Sequence, residues 1–160
     1  MKATFAAGCF WGVEYKFSKL PGVTATKVGY IGGAINKPTY DQVCDGDTGH
    51  AEVVQLEFDS AKISFQTLLE FFFKIHNPTT LNRQGPDVGT QYRSAVFYHD
   101  AEQKSQAEDY IQKLNQQIEA GKHEQWKNPV VTRLEVAKTF WPAEEYHQKY
   151  VEKNGDVCGI

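Results

Sequence analysis

"TFAAGCFWGVEYKFSKLPG", residues 4 to 22, carries two different periods joined at a cysteine. Thr4 to Ala7 is a short apolar run of strand type, and Gly8 breaks it. From Phe10 the apolar residues recur at helical spacing, with Phe10, Val13, Phe17 and Leu20 on one stripe, until Pro21-Gly22 stops the helix. A strand, a tight turn and a helix are therefore expected to meet at Cys9.

Working outward, Val23 to Ile31 is a second apolar run closed by Gly32-Gly33. The following "AINKPTYDQVCDGDTGH" is rich in Gly, Asp, Asn, Pro and Thr and reads as a long loop. "HAEVVQLEFDS" alternates as a strand, with Glu52, Val54, Leu56 and Phe58 on one face and Val53, Gln55 and Glu57 on the other. "ISFQTLLEFFFKIH" predicts a buried helix with Ser64 as its N-cap, and "PTTLNRQGPDVGTQYRS" a second long loop. Ser94 to His99 reads as a strand. Asp100 and Gln103 resemble a capping box, opening a helix with the stripe Ala107, Tyr110, Ile111, Leu114 and Ile118. Val130 to Val136 alternates as a strand, and Ala143 to Glu152 is expected to form one last helix. The order β-α-β-β-α-β-α-β-α predicts an α+β fold: a two-layer, ferredoxin-like (split βαβ) core with long functional loops. Residues 1–160 are expected to form a single domain, since no repeat, linker or composition break divides them.

The hydrophobic share of 41% and aromatic share of 13% favour a packed core over a disordered or fibrous chain. Seventeen Lys and Arg against 20 Asp and Glu give a net charge of −3 without a long run of either sign, which removes the electrostatic case for nucleic acid or an anionic membrane. Met1 to Phe5 carries no signal-like apolar stretch, and no later window approaches a membrane span, so the chain is expected to be soluble and cytoplasmic. Three cysteines with no C-x-x-C pair do not form a secreted disulfide framework, which turns attention to thiol chemistry.

A thiol at the first turn of a helix faces unpaired N–H groups and the positive end of the helix dipole, and both favour thiolate. Cysteine is also a common small core residue, and position alone does not choose between the two roles for Cys9. Phe10 is expected to be half core and half pocket wall. Trp11 lies about 160° round the helix from Val13, so the helix's own core face does not explain it, and it can serve as a platform for an apolar ligand or be covered by a loop. Glu52, on the apolar face at a strand start, is expected at the edge of the core, where desolvation raises its pKa and keeps a proton on it, unless a bulge releases it to solvent. Tyr40 and Tyr92 offer loop hydroxyls that could donate to a developing oxyanion or simply pack, and Asp87 could orient such a hydroxyl or make an Asx turn. Cys158, near the chain end, could reach another cysteine. Cys44 has no activating context and is expected to be a spare or packed thiol. Metal spacings of the C-x2-4-C, H-E-x-x-H and H-x3-5-H kinds are absent, so no metal is expected. A Cys-His hydrolase would need His50 or His147 beside Cys9.

With these residues in view, the chain resembles the peptide methionine sulfoxide reductase A family over nearly its whole length. "GCFWGVE", "GGAINKPTY", "CDGDTGHAEVV", "QGPDVGTQYRS" and "FWPAEEYHQKY" are similar to that family's blocks and stand in its order. The resemblance implies that Cys9 is the nucleophile, that Phe10 and Trp11 hold the substrate methyl group, and that Glu52 protonates the sulfoxide oxygen. It implies that Tyr40 and Tyr92 bind that oxygen, with Asp87 supporting them. The tail "GDVCGI" has one cysteine, which makes Cys158 the candidate recycling thiol.

The activity implied is repair after oxidative stress: reduction of the S epimer of methionine sulfoxide, free or in oxidised proteins and peptides, through a cysteine sulfenic acid and a disulfide recycled by thioredoxin. No cofactor or metal is implied, and a monomer is expected. Rival readings are a thiol peroxidase using the same two cysteines, a cysteine hydrolase needing no reductant, and a non-enzymatic peptide-binding module built on Trp11 and the loop tyrosines.

Overall fold

Residues 1–155 are described by a computed structural model, whose sheet is laid down around its first strand. In chain order the elements are β1 (Lys2–Ala7), α1 (Phe10–Ser18), β2 (Val23–Ile31), α2 (Tyr40–Cys44), β3 (Ala51–Phe58), α3 (Phe65–Ile75), β4 (Arg83–Gln84) and β5 (Asp87–Val88). There follow β6 (Ser94–Tyr98), α4 (Ala101–Glu119), β7 (Arg133–Val136), β8 (Trp141–Pro142) and α5 (Tyr150–Asn154), with single 3₁₀ turns at Thr90–Tyr92 and Glu145–His147.

The main sheet is mixed, in the order β7-β6-β1-β3-β2-β8, and β4 with β5 forms a separate hairpin. β1 runs antiparallel to both β3 and β6, and β3 antiparallel to β2. β7 joins β6 in parallel, and β8 adds an antiparallel edge beside β2. The β1–α1–β2 crossover therefore leaves a gap that β3 fills.

Strand parity decides which side chains meet the helices. Phe5, Val28, Val54, Leu56 and Val96 point to one face and pack in one cluster with Phe17 of α1, Leu68 and Phe72 of α3 and Ala107 of α4. Phe5 stacks against Phe17 at 5.2 Å and Phe72 at 5.1 Å, joining α1 and α3 to the central strand. The opposite face carries a smaller cluster of Ala6, Ile31, Val53, Ala95 and Phe97, covered by Ala137 and Phe140 of the segment after β7. That cover explains why Val53, on the polar side of the expected alternation, is fully buried.

The expected caps form. Ser64 accepts from Thr67 N–H at 3.1 Å, and Asp100 accepts from Gln103 N–H at 2.8 Å. The Gln103 amide oxygen reaches back one residue beyond the usual box, to His99 N–H at 3.0 Å. Three expectations are corrected. The first long loop contains the short helix α2, opened by a capping box between Thr39 and Gln42. The last strand begins at Arg133, not Val130. The last helix is broken in two: Gln148 is extended and Lys149 left-handed at φ 56°. Gln148 spends its amide on the β2 edge, accepting from Val28 N–H at 2.9 Å and donating to Val28 O at 3.0 Å. Lys149 N–H donates to the buried Glu14 at 2.8 Å, and these bonds replace the helical ones.

Candidate active site

β1 ends at Ala7, and Gly8 turns the chain into α1 with φ at +94°, a conformation that L side chains rarely adopt. A Cβ at Gly8 would stand 2.8 Å from Gln84 Cγ, so the turn has no room for one either. Cys9 is consequently placed at the N-cap of α1, half-buried, with its carbonyl accepting from Val13 N–H at 3.5 Å. The thiol stands where helix N–H groups and the dipole favour negative charge.

Glu52 follows the first residue of β3 and shares the parity of Val54 and Leu56, so its side chain enters the helix-covered face. There it is 1% exposed, and its Oε1 accepts from Phe10 N–H at 3.3 Å. No bulge releases it: Glu52 lies opposite Tyr30 in regular register. The Glu52 carboxyl is thus bonded to the peptide N–H that directly follows Cys9, bringing the start of β3 to the start of α1.

Tyr40, Tyr92 and Asp87 come to the same place. Tyr92 ends the 3₁₀ turn before β6, and its hydroxyl pKa is pushed up by burial and by the charges of Glu52, Cys44, Asp87 and Cys9. Tyr40 opens α2; burial, its hydrogen bond to the Cys44 thiol and the charge of Glu52 raise its pKa well beyond the ordinary value. Both hydroxyls therefore keep their protons at neutral pH and remain donors. Asp87 sits in the β4–β5 hairpin and reaches this group through its field at Tyr92.

An aromatic wall stands beside these polar groups. Phe10 is 1% exposed and packs against Tyr30 at 5.8 Å, His147 at 5.4 Å and Tyr40 at 6.3 Å, so it is core and wall together. Trp11 is half-buried; Tyr150 stacks on it at 4.0 Å, and its indole N–H donates to His147 Nδ1 at 2.9 Å. The C-terminal segment thus supplies the cover that α1 does not.

His147 and Tyr150 join the wall without having been singled out as part of it. The sequence offered His147 only as a partner for a hydrolase; it is fully buried, and desolvation lowers its pKa so that the ring is neutral. His50 is committed elsewhere, accepting from Gly33 N–H at 3.0 Å and bonding Ile35 O at 2.6 Å. Cys44 is exposed and tied to the Tyr40 hydroxyl, so it is not merely a spare thiol. Cys158 lies outside the described residues. Among the described residues, no three His, Cys, Asp or Glu side chains gather closely enough to hold a metal ion. The same residues contain no helix long and apolar enough to cross a membrane.

A buried carboxyl, two tyrosine hydroxyls and a thiol at a helix start, with aromatic rings alongside, form a group that suits thiol chemistry on a ligand with polar and apolar parts. Comparison with known proteins points the same way. The family pattern described as Peptide methionine sulfoxide reductase matches residues 1–159. A "Peptide methionine sulfoxide reductase MsrA" of Methanosarcina acetivorans is 55% identical over 99% of this chain and 81% of its own length. "Peptide methionine sulfoxide reductase A2-1" of Oryza sativa subsp. japonica is 52% identical over 96% of this chain and 78% of its own. Among solved structures, reduced Mxr1 from Saccharomyces cerevisiae superposes with a TM-score of 0.84 at 41% identity, covering 99% of this chain and 88% of that one. Mxr1 in complex with Trx2 matches with a TM-score of 0.62 at 26% identity, covering 99% of this chain and 85% of that one. The thiol, the carboxyl and the aromatic wall therefore stand in a chain that belongs to the peptide methionine sulfoxide reductase A family of enzymes.

Proposed function

We propose that this chain, acting as one catalytic domain and as a cytoplasmic monomer, reduces the S epimer of methionine sulfoxide to methionine, both free and in oxidised proteins. The observation that carries this is the 3.3 Å bond from Phe10 N–H to Glu52, which ties a buried carboxyl to the helix start that follows Cys9. A sulfoxide sulfur is a poor electrophile until its oxygen is protonated or strongly hydrogen-bonded. Glu52 gives its proton to oxygen while the Cys9 thiolate attacks sulfur, and the Tyr40 and Tyr92 hydroxyls donate to the same oxygen. Phe10 and Trp11 hold the methyl group and so distinguish the two epimers, while Asp87 steadies Tyr92.

The protonated oxygen then passes from the substrate sulfur to the Cys9 sulfur as the transient sulfur–sulfur bond breaks, so methionine leaves with the electron pair, reduced by two electrons, and Cys9 is oxidised to a sulfenic acid. Cys158 attacks that sulfur, forming a disulfide and releasing water. A thioredoxin dithiol then reduces the disulfide. The yeast relative's complex with Trx2 supports thioredoxin as the reductant. The cycle draws its oxidant from the substrate and its electrons from the dithiol, and calls for no metal or cofactor. The scaffold is read as a ferredoxin-like split βαβ core, supported by the antiparallel order β6-β1-β3-β2 with α1 and α3 as the crossovers.

The test is mass spectrometry after mixing the reduced protein with a peptide carrying racemic methionine sulfoxide. Loss of the S epimer with a Cys9–Cys158 linkage is expected. Loss of the R epimer, or turnover without oxidation of any cysteine, refutes the proposal. Cys9→Ser is expected to abolish reduction, and retained turnover refutes the nucleophile assignment.

A further inference from the structure

Glu144 has no part in the chemistry above, yet its carboxylate joins two walls of the site. Its Oε1 accepts from the Tyr30 hydroxyl at 3.1 Å, and its Oε2 accepts from the backbone N–H of Tyr40 at 3.1 Å. Tyr30 is fully buried, lies opposite Glu52 across the β2–β3 pair and packs against Phe10. Tyr40 is the first residue of α2, and its ring is 4.3 Å from His147, three residues beyond Glu144.

The helix that carries Tyr40 cannot place itself. Five residues are far below the length at which a helix is stable by its own bonds, so the position of α2 depends on tertiary ties. Val43 supplies burial, and Gln91 Nε2 donates to Cys44 O at 3.2 Å, fixing the far end. At the near end, Glu144 bonds the Tyr40 peptide directly. Burial pushes the Glu144 carboxyl up, but the Tyr40 N–H, its own backbone N–H and the Tyr30 hydroxyl together hold it below the ordinary range. It is therefore ionised at neutral pH, with an acceptor oxygen for each donor.

We propose that Glu144 is a positioning residue for the reductase step: it pins the start of α2 to β2 and thereby sets where the Tyr40 hydroxyl stands. This rests on the reading of Tyr40 as an oxygen-binding hydroxyl. A glutamine at 144 would keep an oxygen to accept from Tyr40 N–H and reverse the other bond, its amide NH₂ donating to the Tyr30 hydroxyl oxygen, so it weakens the pair by removing the charge. Alanine would lose both.

The experiment is a double-mutant cycle on the single-turnover rate of sulfoxide reduction, with thermal unfolding followed for each variant. Glu144→Ala is expected to slow the wild-type background about tenfold and the Tyr40→Phe background less than about twofold, because the group it positions is then absent. Glu144→Gln is expected to fall between, and it decides the cycle if Glu144→Ala does not fold. Equal slowing in both backgrounds, or none in either, overturns the role of Glu144 while leaving Tyr40's intact. A wild-type rate for Tyr40→Phe alone overturns the reading of Tyr40, and the role of Glu144 with it.

Discussion

The backbone N–H of Phe10 donates to Glu52 Oε1 at 3.3 Å, across 42 residues of chain. This bond ties the first residue of α1 to the start of β3, so the position of Cys9 and that of the carboxyl are one geometric fact. It also leaves the carboxyl under opposing influences. Desolvation favours its neutral form, whereas an N–H donated from a helix N-terminus favours the charged one.

Glu52→Gln separates proton donation from scaffolding. The amide oxygen can still accept from Phe10 N–H, so the start of α1 stays in place, but the side chain cannot release a proton to the substrate. The single-turnover rate of methionine sulfoxide reduction is expected to fall by about 10²-fold or more. A nearly unchanged rate removes Glu52 from the role of general acid.

Gly8→Ala tests the turn that presents Cys9. The substitution places a Cβ at φ +94° and within 2.8 Å of Gln84 Cγ, on a side chain whose amide bonds both Asn77 N–H and Asn77 O. Denaturant unfolding is expected to show a loss of about 1–3 kcal/mol, from backbone strain together with displacement of Gln84. Wild-type stability and rate together would show that the turn tolerates a side chain.

The β1–α1 junction was legible because its two periods change over at Gly8 and Pro21-Gly22 ends the second one, all within one short stretch. Ser64 and Asp100 were legible as caps for the same reason: their partners lie three residues away. Glu52 followed from strand parity. What local pattern could not carry was long-range substitution of one bond for another. Thr39 and Gln42 form a capping box, but the surrounding Pro, Gly and Asp residues gave that segment the composition of a loop. The break at Lys149 depends on Glu14 and Val28, more than a hundred residues away, and no spacing rule links them. His147 and Tyr150 were hidden likewise, since the expectation of one continuous helix obscured which of its residues would face Trp11.

Cys158→Ser tests recycling separately from reduction. With the nucleophile intact, the variant is expected to release about one methionine per protein molecule and then stall with thioredoxin as reductant, because the sulfenic acid on Cys9 lacks its intramolecular partner. Counting methionine released in the first seconds against that at steady state measures both. Sustained thioredoxin-driven turnover rules out Cys158 as sole resolver and turns attention to Cys44, whose thiol already pairs with the Tyr40 hydroxyl.

His76 makes stability depend on pH. The ring is 7% exposed, bonded to Phe72 O and to Ser94 Oγ, each at 2.6 Å, and burial lowers its pKa from 6.5 to about 4. Between these two values the unfolded chain binds a proton that the folded protein does not, so stability is fully present above pH 6.5 and is lost as pH falls toward 4. The loss from this one group approaches, at most, about 1.4 kcal/mol per pH unit, to which His99 and His147, also lowered by burial, add in the same direction. Urea unfolding at pH 7 and pH 5 is therefore expected to show lower stability at the acid value. His76→Gln is expected to be less stable at pH 7 but to lose less between the two. An equal pH dependence in both proteins would mean that His76 titrates alike folded and unfolded, and that its bonds to Phe72 and Ser94 do not depend on a neutral ring.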